Sequence, residues 1–232
     1  MKETALKKIG ILQTGKAEGP LGDKFGQYSD MFIAMLGADI FDYQVYSVVD
    51  HVFPDTPSDC DGWIITGSKH GVYENHSWIP PLEDFVRKLV ASSIPTLGIC
   101  FGHQIMAQAM GGVVEKHPAG WGIGVQEYKD IETGTTARLL ASHQDQVITP
   151  PSGTAVTHRS DFCAFAGLRY SPTCISLQPH PEHVTAFTEG LLHERRGTAI
   201  PEITADIALA SLRNENTHPE YAQRLIRFFQ ES

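Results

Sequence analysis

Apolar positions along this chain switch repeatedly between two periods. Lys8-Ile9-Gly10-Ile11-Leu12-Gln13 is a short apolar run that stops at Thr14-Gly15 and predicts a strand. Phe25, Tyr28, Phe32 and Met35 then recur at helical spacing, and Phe41, Tyr43 and Val45 fall on alternate positions, as a strand requires. Gly62-Trp63-Ile64-Ile65-Thr66 is apolar throughout and ends at Gly67-Ser68, the pattern of a strand covered on both faces. Ile79, Leu82, Phe85, Val86 and Leu89 give one apolar face to a helix over Trp78 to Ala91, and Pro95 to Ile99 is the next strand, leading into Cys100. A helix is expected from His103 to Met110, closed by Gly111-Gly112, whose backbone freedom suits a helix C-terminus. From about Val113 to Leu177 the signals are short and strand-like, broken by Pro150-Pro151 and several glycines, which predicts an antiparallel or mixed section. Beyond His183 three helical pieces follow: one to about Arg196, one from Pro201 to Arg213, and one from Pro219 to Gln230.

Strands alternating with helices imply an α/β fold: a doubly wound, mostly parallel sheet with helices on both faces and ligand sites at the strands' carboxyl ends. No repeat, low-complexity tract or linker divides the chain, so residues 1–232 are expected to form a single domain with a core over about 8–185 and a helical C-terminal extension over about 186–232. Ile203, Ile207 and Ala210, and separately Leu225, Phe228 and Phe229, lie at helical spacing in that extension and face either the core or a partner.

Charge narrows the function classes. Eighteen Lys and Arg against 27 Asp and Glu leave a net charge of −9, and no basic run exists to neutralise a row of phosphates, so nucleic acid is not expected as a partner. No apolar stretch approaches the length of a membrane span, and Met1 to Lys8 lacks the apolar block of a signal peptide. A cytoplasmic location is therefore expected.

Of the four cysteines, Cys60, Cys163 and Cys174 read as small buried apolar residues. Cys100 differs in its neighbours. Gly98-Ile99-Cys100-Phe101-Gly102 follows an apolar strand and opens a helix, the context of a nucleophile elbow with Cys in place of Ser. Glycines two positions away on each side relieve crowding where strand and helix meet, and the helix N-terminus stabilises a thiolate, the reactive form. Such a nucleophile needs a base with an orienting partner. His180 stands out because Gln178-Pro179-His180-Pro181-Glu182 follows a strand-like run, and a carboxylate two residues along an extended chain projects to the same side. His180-x-x-His183 lacks a third ligand at diagnostic spacing, so no metal is expected there, and the absence of a phosphate-cradling glycine loop argues against a nucleotide cofactor.

Gly98-Ile99-Cys100-Phe101-Gly102-His103-Gln104 and the downstream Gln178-Pro179-His180-Pro181-Glu182, in this order, resemble the class I glutamine amidotransferases. The resemblance implies a flavodoxin-like fold, a Cys100-His180-Glu182 triad, and no cofactor. It implies an oxyanion hole from the main-chain N–H groups of Gly67 and Phe101, a substrate contact from Gln104, and a glutamine pocket lined near Ser142, His143 and Gln144. The loop Gly67-Ser68-Lys69-His70-Gly71-Val72-Tyr73, with Trp78-Ile79, is similar to that of free-standing amidotransferase-like proteins and γ-glutamyl peptidases. The expected reaction is hydrolysis of a γ-glutamyl amide through a cysteinyl thioester, with glutamine as the small-molecule substrate and ammonia passed to a separate synthase subunit. The alternatives are a free-standing hydrolase of γ-glutamyl peptides or amines, and a catalytically silent binding relative.

Overall fold

The computed structural model describes residues 5–232; residues 1–4, the first half of the Met1 to Lys8 segment read above for a signal peptide, lie outside them. In chain order the elements are β1 (Lys8–Leu12), α1 (Gly19–Phe25), α2 (Tyr28–Leu36), β2 (Asp42–Tyr46), β3 (Gly62–Ile65), α3 (Ile79–Ala91), β4 (Thr96–Ile99), α4 (Phe101–Ala109), β5 (Val113–Lys116), β6 (Gly122–Asp130), β7 (Thr136–His143), β8 (Asp145–Thr149), β9 (Ala155–Arg159), β10 (Gly167–Ser171), β11 (Cys174–Leu177), α5 (Thr185–Arg195), α6 (Glu202–Ser211) and α7 (His218–Glu231).

Nine strands form one sheet in the order β2-β1-β3-β4-β11-β10-β9-β6-β7. The half from β2 to β11 is parallel, and the half from β10 to β7 is antiparallel, which is the mixed section expected after residue 113. Strands β5 and β8 pair separately as a short antiparallel ribbon. In the parallel half, β3 and β4 are buried at every residue, because side chains alternate between two covered faces. Trp63 and Ile65 join a cluster with Leu82, Phe85, Phe101 and Ile105, whereas Ile64 joins Ile9, Phe32, Leu36 and Phe229 on the opposite face.

Two boundaries differ from the expected pattern. The helical spacing from Phe25 to Met35 is carried by two helices, α1 and α2, parted at Gly26, where φ is +76°. Helix α4 starts at Phe101, directly after the nucleophile candidate.

The apolar residues of the C-terminal helices divide by helix. In α7, Tyr221, Leu225 and Phe229 are buried one helical turn apart, and the Phe229 ring meets Phe41 edge-on at 6.1 Å. A polar network fastens the same helix. Tyr221 Oη and His158 Nε2 are hydrogen-bonded at 2.8 Å, and Arg224 pairs with the buried Asp130. Burial alone would push the Asp130 carboxyl up, but Arg224 holds it at about 2. In α6, by contrast, Ile203 and Ile207 are 76% and 67% exposed. No helix among the described residues is long and apolar enough to cross a membrane.

Phe229→Ala is expected to cost about 3–5 kcal/mol, read as a lowered denaturation midpoint in urea, because it leaves a cavity in the core. Ile207→Ala, on the exposed face, should change stability by less than about 0.5 kcal/mol in the same measurement.

Candidate active site

Strand β4 ends at Ile99, and the backbone reverses at Cys100 with φ 53° and ψ −102°, one of two positive-φ non-glycine residues among those described. Such a conformation costs about 1–3 kcal/mol and persists only where its surroundings over-determine it. They do so here through hydrogen bonds on every side. Cys100 N–H donates to the Leu177 carbonyl of β11 at 2.8 Å, the Cys100 carbonyl accepts from Gln104 N–H at 3.0 Å, and Gly102 N–H donates to the Thr66 carbonyl at 3.1 Å. Packing explains both glycines of the elbow. A Cβ at residue 98 would lie 2.4 Å from Met106 Sδ, and one at residue 102 would lie 2.3 Å from the Ile65 carbonyl oxygen.

The same strand that holds Cys100 delivers His180. Beyond β11, His180 N–H donates to the Leu140 carbonyl of β7 at 2.8 Å, so the imidazole is fixed from two strands. Its Nδ1 is 2.7 Å from Glu182 Oε1. Gly67 packs against the pair: a Cβ there would be 3.0 Å from His180 Cε1 and 3.7 Å from Cys100 Cβ. The side chains of Cys100, His180 and Glu182 are all almost fully buried.

Burial by itself would strip the proton from His180, yet the Glu182 carboxylate and the Cys100 sulfur beside it push its pKa up to about 10. At neutral pH the ring is therefore an imidazolium. His183 stacks on it with ring centroids 3.9 Å apart and planes 5° apart. Burial, together with the positive neighbour His180, drives the His183 pKa well below its ordinary 6.5, so this second ring stays neutral. His180, Glu182 and His183 bring three donor atoms within 4.8 Å. Parallel stacked rings, however, project their lone pairs side by side rather than toward one point, which suits the trio poorly to a metal. His103 lies beneath the elbow, fully buried, with Nδ1 2.8 Å from Ser176 Oγ, and burial lowers its pKa to about 3.

Two connected hollows open on Cys100. The smaller, about 380 Å³ with open solvent included, is lined by Gly67, Cys100 and His180 together with Tyr28, Phe187 and Arg195. The larger, about 980 Å³ including open solvent, brings together Gln104, Ser142, His143 and Gln144, all four of the residues expected near substrate. The Gln104 Nε2 amide donates to the Asp145 carbonyl at 2.9 Å and to Gln178 Oε1 at 3.1 Å, while its Oε1 accepts nothing among the described residues. His143 is buried, its Nε2 has no partner among the described residues, and burial lowers its pKa to about 3. Tyr28 and Arg195 were not visible as pocket residues in the sequence: their only signal was helical spacing in α2 and α5, which marks them as no different from core or surface positions. His183 was weighed only as half of His180-x-x-His183, and nothing in the sequence indicated that its ring stacks on His180.

On the opposite side of Gly67, the carbonyl oxygen accepts from the hydroxyls of Thr14 at 3.0 Å and Thr66 at 3.1 Å. Because a trans peptide points its N–H away from its C=O, this anchoring turns the Ser68 N–H toward the other side. Among the described residues, neither Gly67 N–H nor Phe101 N–H has a protein acceptor.

Residues 23–193 match the sequence profile of the family described as glutamine amidotransferase class-I. Gamma-glutamyl peptidase 3 of Arabidopsis thaliana is 26% identical over 174 residues, covering 68% of this chain and 70% of that protein. A glutamine-hydrolyzing GMP synthase subunit of Halobacterium salinarum is 26% identical over 190 residues, covering 78% of this chain and 92% of that one. In three dimensions, the crystal structure of a glutamine amido transferase from Methylobacillus flagellatus superposes with a TM-score of 0.73 over 97% of this chain and 92% of that one, at 21% identity, a likeness of fold.

The charge arrangement gives a titration test. The raised His180 pKa adds stability that is complete below 6.5 and is lost as pH rises through about 10. In Glu182→Gln, where the largest source of the rise is neutralised, the imidazole resonances should titrate at lower pH than in the wild type, as read by NMR. An unchanged midpoint would mean that Glu182 does not hold the proton.

Proposed function

The chain belongs to the class I glutamine amidotransferase family, and on that footing we propose that it hydrolyses a γ-glutamyl amide bond with Cys100 as nucleophile, His180 as acid and then base, and Glu182 as the orienting carboxylate. The observation that carries this reading is the buried His180 ring, its Nδ1 2.7 Å from Glu182 Oε1, beside Cys100 on its positive-φ turn.

The Cys100 thiolate adds to the side-chain carbonyl of the γ-glutamyl group, and the resulting oxyanion is held by main-chain amides. Phe101 N–H at the start of α4 is one donor. The second donor expected from the sequence is Gly67 N–H; the Thr14 and Thr66 hydroxyls on the Gly67 carbonyl fix the orientation of the following peptide and so favour Ser68 N–H in its place. His180 gives its proton to the departing nitrogen, so ammonia or an amine leaves and a γ-glutamyl thioester remains. Acylation removes the negative sulfur, which is one of the two charges that raise the His180 pKa. The ring, now neutral, accepts a proton from the attacking water, which its imidazolium form could not do. Water adds, the C–S bond breaks, glutamate leaves, and the thiolate–imidazolium pair is restored. Gln104 Oε1 and the main chain at Ser142 to Gln144 contact the amino-acid end of the substrate.

Two leaving groups fit this chemistry. Glutamine releases ammonia for a separate synthase subunit, the arrangement implied by the name of the Halobacterium relative. A γ-glutamyl peptide or amine releases a larger group, and the broad cleft beside the small pocket has space for one. The cleft favours this second reading for isolated protein.

Reaction with a glutamine-analogue electrophile should add one label to the intact mass of the wild type and none to Cys100→Ala. A stoichiometric label that survives the substitution would falsify the assignment. Released glutamate measured with glutamine and with γ-glutamyl dipeptides separates the two leaving groups, and Cys100→Ala should lower either rate by about 10⁴-fold or more. No turnover of any γ-glutamyl compound, with or without a synthase subunit, would leave a binding protein.

A further inference from the structure

The loop after β3 forms the opposite wall of the larger cleft, and it gathers a second set of functional side chains that the reaction does not use. His70, Glu74 and His76 bring one donor atom each within 4.8 Å of one another. Glu74 Oε2 lies 3.2 Å from His70 Nδ1 and 2.7 Å from His76 Nε2, so a single carboxylate oxygen is the meeting point of both rings. The two imidazoles stand 4.2 Å apart at 64°, and their nitrogens converge instead of running parallel as in the His180–His183 stack. We infer that His70, Glu74 and His76 form a binding site for a divalent transition-metal ion, with Zn²⁺ the best match.

The donor set supports that ion class. Two neutral imidazoles and one carboxylate suit a borderline cation such as Zn²⁺, which takes nitrogen and oxygen ligands at about 2.0–2.2 Å in a tetrahedron. Ligand atoms at such distances sit roughly 3.4 Å apart, so the observed 2.7 and 3.2 Å separations need only a small outward movement of the Glu74 side chain. His70 and Glu74 also line the cleft, which leaves a fourth position for water or an anionic group of a ligand.

Backbone hydrogen bonds and ring packing organise the loop holding these groups. Glu74 N–H donates to the Gly71 carbonyl at 3.1 Å, His76 N–H to the Glu74 carbonyl at 2.9 Å, and Ile79 N–H to the His76 carbonyl at 3.1 Å. Buried Trp78 stacks against His76 at 5.8 Å and 16°, and it also meets the ring of Phe101, 5.5 Å away. A pre-formed site loses less ordering entropy on binding. Its position places a dication in the cleft that Cys100 also lines.

Isothermal titration of Zn²⁺ into chelator-treated protein tests this inference independently of any activity. The Cys100→Ala protein is titrated in parallel with the wild type, because a thiolate is itself a zinc ligand. One Zn²⁺ per chain is expected in both, with quenching of tryptophan emission, to which Trp78 beside His76 contributes, when Cu²⁺ replaces Zn²⁺. His70→Ala, His76→Ala and the near-isosteric Glu74→Gln should each weaken Zn²⁺ binding at least about tenfold, with far-UV circular dichroism unchanged. The site is overturned by absence of saturable Zn²⁺ binding to Cys100→Ala, by binding that all three loop variants leave intact, or by binding lost only in His183→Ala.

Discussion

The structure turns on the close approach of β3, β4 and the first turn of α4. With no room for a Cβ at residue 98 or 102, backbone packs on backbone, and the Thr66 carbonyl reaches the Gly102 amide across the gap. That contact forces the chain at Cys100 into a positive φ, which no ordinary residue adopts without cost. The strain is offset by the hydrogen bonds on both sides of the peptide and by the two apolar clusters that clamp the sheet from its two faces. Moving any of the three elements outward would relax the turn and lower Cys100 back toward the sheet.

The parallel half of the fold was legible because β1, β3 and β4 are covered on both faces and so appear as uninterrupted apolar runs. The elbow and the His-Pro-Glu segment were legible for a related reason, since local backbone geometry restricts which residues can stand there. Partners brought together by packing alone left no such trace. Tyr28 and Arg195 reach the pocket only because α2 and α5 dock at one end of the sheet. The fate of the C-terminal apolar residues was equally hidden: Ile207 and Phe229 follow the same spacing rule, yet one faces solvent and the other the core. His70, Glu74 and His76 sit at a spacing that matches no familiar ligand pattern, because irregular turns and not a helix bring them together.

Electrostatics separates buried histidines that share one neighbourhood. His103 and His143 meet neutral oxygens only, and burial keeps both uncharged. His180 meets a carboxylate and a sulfur, and keeps its proton under equal burial. The neutral His183 ring covers one face of this cation, adding flat contact without a second positive charge. Identical side chains thereby acquire different protonation from partners placed within a few ångströms.

The pairing of β4 with β11 bears on how such a protein can diversify. Cys100 is bonded to Leu177 at the end of β11, and His180 follows only three residues beyond it. The spacing of Cys100 and His180 is thus measured along β11, and most of the chain between them, from β5 to β10, is an excursion that leaves and returns. Strand β10 lies against this ruler as its neighbour in the sheet, and the Leu140 carbonyl of β7 receives His180 N–H at its end. The rest of the antiparallel half stands outside this ruler, so a change in its hairpins would reshape the cleft wall at Ser142 to Gln144 while Cys100 and His180 keep their spacing.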